Sequence, residues 1–170
     1  MDKTKFKRLL FDVACSAVAC DGHIDEREIR ELQYIDTSTT YFEDIDLSNK
    51  LKRFVENFEN NPIDTINNII EKLKTELLNP VEEMLVLEIV LRLVYADTKI
   101  DEKEIEFIQS IRVCLSIDDE MITQRFGVID FLIHTVENVD LPNEQSKEHI
   151  KLIDMSSLEN MYADLGDKKK

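Results

Sequence analysis

Apolar residues recur along this chain at helical spacing, and twice they do so around the same acidic motif. Phe11, Ala14, Cys15 and Val18 fall at i, i+3, i+4 and i+7, and Leu87, Val90, Leu91 and Val94 lay down that stripe a second time. Each run leads into an acidic turn. The first reads Cys20-Asp21-Gly22-His23-Ile24-Asp25-Glu26-Arg27-Glu28-Ile29; the second, 76 positions later, reads Ala96-Asp97-Thr98-Lys99-Ile100-Asp101-Glu102-Lys103-Glu104-Ile105. An amphipathic stripe follows each turn, through Ile29, Leu32 and Ile35 in one copy and Ile105, Ile108 and Ile111 in the other. The pattern predicts two units of apolar helix, acidic turn and amphipathic helix, over about 5–36 and 81–113. A period this long marks a duplicated half-domain, since solenoid repeats run only to about 50 residues.

Leu51, Phe54, Val55 and Phe58 predict a further helix between the copies. Asn61-Pro62 then reads as an N-cap followed by proline at the first helical position, ahead of Ile66, Ile69, Ile70 and Leu73. Asn79-Pro80-Val81-Glu82 repeats that signal with Glu in the capping-box place. A last helix expected from about Asp118 carries Ile122, Phe126, Ile129 and Ile133, while Thr37 to Asp46 is a polar, β-branched stretch expected as a surface loop. The fold class expected is all-α: a helical bundle of seven to eight helices with two pseudo-symmetric helix-turn-helix halves, filling residues 1–138. Residues 139–170 are expected to form a connection around Pro142-Asn143, an amphipathic helix and a short basic tail. Met155, Leu158, Met161, Tyr162 and Leu165 would share one face of that helix. Such a face either docks into a groove on a partner or covers the bundle.

Composition narrows the field. Three Gly and three Pro among 170 residues, with 34% charged and 43% hydrophobic, favour helices. A net charge of −15 argues against nucleic acid or an anionic membrane, and suits a cation or a basic protein surface. No apolar run reaches the roughly 18 residues of a membrane span. Lys3, Lys5, Lys7 and Arg8 ahead of Leu9 to Ala19 and Cys20 have the outline of a secretory signal. Asp12 interrupts that run, however, and Leu87 to Ala96 repeats the same pattern in mid-chain, so it reads as the first repeat helix. Three cysteines without CxxC spacing suit reduced thiols and a cytoplasmic location.

The acidic turns carry the candidate chemistry. Each resembles the second half of an EF-hand loop, with its Asp, Ile and closing Glu. The first two ligand places are filled by Ala17 and Ala19 in one copy and by Leu93 and Tyr95 in the other, so neither turn can cage calcium alone. Pooled, Asp21, Asp25, Glu28, Asp97, Asp101 and Glu104 would offer hard oxygens suited to Ca²⁺, Mg²⁺ or Mn²⁺. The competing account is structural. Asp25 with Glu28, and Asp101 with Glu104, stand at capping-box spacing and in first turns where acids suit the helix dipole. Capping leaves Asp21 and Asp97 unexplained.

An apolar helix ending in Cys20-Asp21-Gly22, followed by Ile24, Glu28 and Ile29, resembles the TerB-like domain, a helical module associated with tellurite resistance. The resemblance covers about residues 5–135; the second copy departs from it in having Thr98 where Gly22 stands. The likeness implies an all-α domain with pseudo-symmetric halves and a divalent-cation site at the acidic residues. It also implies a non-enzymatic adaptor of bacterial stress response or phage defence, whose partners are other proteins of the same system. No glycine-rich phosphate loop, nucleophile elbow or HExxH is present. The alternative function is a metal-assisted hydrolase built on the acidic cluster.

Overall fold

The computed structural model describes residues 1–22, 26–43, 45–96 and 99–133. These contain eight α-helices and no strand: α1 Lys3–Ala19, α2 Glu26–Ser38, α3 Leu47–Asn60, α4 Pro62–Thr75, α5 Pro80–Val94, α6 Glu102–Val113, α7 Asp119–Phe126 and α8 Asp130–Ile133. Helix starts follow local side-chain chemistry. Asp2, Asp46 and Asp118 each accept a hydrogen bond from an amide three residues on, at 3.2, 3.1 and 2.8 Å. These caps satisfy amides that a helix leaves without partners. Asn79 and Glu82 form a full capping box at α5, and Pro62 and Pro80 occupy first helical positions.

α1 and α5 lie at the centre and pack more extensively on each other than any other described pair. α5 is buried on nearly every side, from Leu85, Val86 and Leu87 through Ile89, Val90 and Leu91 to Leu93 and Val94. The other helices cover this pair, α4 and α3 chiefly from the α1 side and α2 and α6 from the α5 side. Burial of this apolar surface, at about 25 cal/mol per Å², dominates the stability of such a core.

Two expectations need correction. The stretch from Thr37 to Asp46 is not simply a surface loop. α2 runs on to Ser38, and Tyr41 and Phe42 are buried, Phe42 meeting Phe11 edge-on at 5.2 Å and 84°. The stripe from Asp118 is two helices rather than one. Gly127 adopts φ +78 after α7, a conformation glycine reaches at little cost, and its amide donates to the Thr123 carbonyl at 2.9 Å. The break still delivers Ile122, Phe126 and Ile129 to the core.

Charged groups inside the bundle are tied. Glu88 on α5 is fully buried, and Arg125 on α7 reaches its Oε2 at 3.0 Å. The Oε2 of Glu83 accepts from the Ser116 and Ile117 amides at 2.9 and 2.8 Å, fastening the α6–α7 loop to the start of α5. Among the described residues no helix is long and apolar enough to cross a membrane. Residues 134–170 lie outside the described residues, and with them Met155, Leu158, Met161, Tyr162 and Leu165.

Candidate functional site: two acidic turns that meet

α2 and α6 begin at Glu26 and Glu102, the 76-residue spacing of the motif itself. α1 ends at Ala19, and the chain turns through Gly22, whose amide donates to the Ala19 carbonyl at 3.1 Å and whose φ is +90. An L side chain is strained there. In the second copy α5 ends at Val94, and the Ala96 amide donates to the Leu93 carbonyl at 3.0 Å.

The Asp101 side chain accepts from the Glu104 amide at 2.9 Å, and the Glu104 carboxylate accepts from the Asp101 amide at 2.7 Å. This is the reciprocal capping box expected from their spacing. Glu104 and Glu28 are both buried, whereas Asp21 is half-buried and Asp101 is exposed. Asp25 and Asp97 lie outside the described residues.

The two turns are neighbours. Lys103, at the start of α6, donates from Nζ to the Asp21 carbonyl at 2.9 Å. The thiol of Cys20, the capping residue of α1, lies within the field of carboxylates from both turns. Burial pushes its pKa up, and Glu104, Asp21, Glu28 and Asp101 push it further in the same direction. The fold therefore brings four of the six candidate acids to one place. Among the described residues, no three His, Cys, Asp or Glu side chains stand close enough together to hold a metal ion.

Sequence reasoning missed a second set of polar residues. Asp12, read only as a break in an apolar run, forms an ion pair with Lys50 of α3. Glu88, 76 positions later, forms one with Arg125 of α7. Carrying the repeat spacing back into the apolar helices would have singled out both acids. Beside the first pair lies a cleft of about 360 Å³ lined by Arg8, Ile45, Asp46, Asn49, Lys50 and Arg53. A smaller recess of about 110 Å³ between α1, α2 and α3 is walled by apolar side chains including Val18, Leu32 and Phe54.

An all-helical domain whose two acidic turns lie side by side is the class that these features define. The chain belongs to the TerB family: the model for tellurite resistance protein TerB matches residues 9–125, a span containing both turns and both internal ion pairs. No curated protein and no solved structure matches the chain.

Proposed function

We propose that this TerB-family chain is a non-enzymatic interaction module of bacterial stress response or phage defence, working in the cytoplasm. Its partners are other proteins of the same system, and its acidic turns take a divalent cation, Ca²⁺, Mg²⁺ or Mn²⁺. The observation that supports this reading best is the gathering of Asp21, Glu28, Asp101 and Glu104 about Cys20. Carboxylates concentrated by two separate turns repel one another unless a cation offsets them. Hard oxygen donors favour these three ions over zinc. The described residues do not make a cage by themselves, so the ligand set draws on Asp25 and Asp97 as well. Capping and ligation are compatible, because a carboxylate has about four acceptor sites and a cap uses one. When bound, the ion supplies a crosslink between the two turns. The hydrolase alternative calls for a substrate cleft beside the acids, and neither cleft described above is lined by them.

The test is a melting curve of chelator-treated protein with each metal added back. Binding to the folded state alone raises stability by mass action, by about 2.7 kcal/mol at a hundredfold excess over Kd. The rise should vanish in Asp21→Asn with Asp97→Asn, the unliganded melting temperature being kept. Absence of both a thermal shift and calorimetric heat would leave capping as the whole account. On the same reading, deleting residues 154–170 should remove partner binding and leave the melting temperature unchanged. A large fall in stability would instead make that segment part of the core.

A further inference from the structure

We propose that the cleft between α1 and α3 binds a small, doubly charged oxyanion of the phosphate type. Asp46, Asn49, Lys50 and Arg53 recur at spacings of three and four, which brings them to one face at the start of α3. Arg8 closes the cleft from α1.

Lys50 is a fixed floor. Its Nζ donates to the Arg8 carbonyl at 3.1 Å, pairs with Asp12, and lies 5.5 Å from the centre of the Phe11 ring. An ammonium has three donors, so these two bonds leave one. Arg8 and Arg53 are different. Both are exposed, and among the described residues neither guanidinium takes part in a hydrogen bond or an ion pair. The chain has 36 Asp and Glu against 21 Lys and Arg, so acids to pair with them are plentiful. Two arginines left unmatched across one cleft are therefore notable. Guanidinium groups grip planar and tetrahedral oxyanions with paired hydrogen bonds, which a lysine cannot do.

Charge and size select the ligand. Among the described residues of the cleft and the ion pair beside it, Asp46 and Asp12 stand against three cations, while the chain as a whole carries −15. A nucleic acid or an anionic membrane would bring many more charges against that acidic surface. A single dianion meets Arg8, Lys50 and Arg53 with Asp46 as the one acid among the described lining residues. A volume of about 360 Å³ suits a small ligand. The corresponding acid of the second half, Glu88, is sealed in the core; the first-half pair instead opens onto solvent.

The experiment titrates the full chain with inorganic phosphate at constant ionic strength, followed by calorimetry and by melting temperature. Binding should appear below about 10 mM, with a thermal shift that follows mass action. Arg8→Gln and Arg53→Gln should each weaken binding about tenfold, and together abolish it. Because both side chains are exposed and unpaired, the phosphate-free melting temperature should not move. Loss of the shift with an unchanged metal response would separate this site from the acidic turns. No heat at about 10 mM phosphate, or undiminished affinity in the double variant, would overturn the proposal. Co-sedimentation with phosphatidic acid vesicles that the double variant loses would also overturn it, by moving the ligand to a membrane headgroup.

Discussion

Asp12 on α1 and Glu88 on α5 stand 76 positions apart, and each meets a base from a later helix. Asp12 and Lys50 keep 25% and 23% of their side-chain exposure, whereas Glu88 keeps none. Lys7 and Glu83 hold matching places five residues earlier, both buried, and each fastens the loop that follows the second helix of its half. They do so with opposite polarity. Lys7 donates from Nζ to the Glu43 carbonyl at 3.1 Å, whereas Glu83 accepts from the Ser116 and Ile117 amides. The first half uses two lysines, Lys7 buried and Lys50 partly exposed, whereas the second uses two buried carboxylates, one of them met by an arginine as exposed as Lys50. The comparison teaches that a position can hold its structural task while its charge is inverted, provided the backbone group it fastens changes from acceptor to donor.

The sharpest way to break this comparison is to remove the two acids separately. Glu88→Ala removes a fully buried carboxylate and leaves Arg125, itself 23% exposed, without it, and should cost about 3 kcal/mol. Asp12→Ala, beside water, should cost no more than about 1 kcal/mol. Equal losses in urea unfolding would show that exposure does not distinguish the pairs. Next in size, Glu83→Ala leaves two amides of the α6–α7 loop without their charged acceptor and should cost about 2–3 kcal/mol. Hydrogen exchange at Ser116 and Ile117 should speed up in that variant, and unchanged protection would remove Glu83 from its fastening role.

A smaller effect is expected at the first turn. Gly22→Ala forces a Cβ into φ +90 and should cost about 1–2 kcal/mol, although nothing crowds the site within 4 Å. A neutral result would mean that the turn relaxes freely. The smallest effect concerns pH. The Cys20 thiol is raised above its ordinary value of 9.0 in the folded protein. The unfolded chain therefore loses this proton first, and the stability linked to it is intact below that value and declines as pH rises past it. The second copy has Ala96 at this place. Cys20→Ala should accordingly flatten the alkaline fall in melting temperature, read roughly between pH 8.5 and 11; identical slopes would show that neither burial nor the carboxylates raise this thiol.

What could be read from the chain depended on how local the cause is. The boundaries of α5, α6 and α7 follow from Asn79, Asp101 and Asp118, each acting within three residues of itself. The burial of Tyr41 and Phe42 was hidden, because a ring packing on Phe11 from a polar stretch leaves no periodic trace. The division of α7 from α8 turned on one glycine, while the apolar spacing ran through it unbroken. At the acidic turns, spacing singled out six acids, but the gathering of Asp21, Glu28, Asp101 and Glu104 about Cys20 is a tertiary fact. The Arg8, Lys50 and Arg53 cleft was illegible for the same reason. Cations on two helices look like ordinary solvated faces until the helices are placed side by side.

The central contact has a consequence in time. α1 finds its most extensive packing against α5, and about 60 residues separate the end of one from the start of the other. At about 5–20 residues per second of synthesis, the apolar face of α1 waits roughly 3–12 s before its partner even begins to be made. Contacts between segments so far apart also close a long loop before they repay it, and so slow folding relative to bundles whose neighbours in sequence pack together. During that interval the stripe of Phe11, Ala14, Cys15 and Val18 is the part of the newborn chain most in need of shelter.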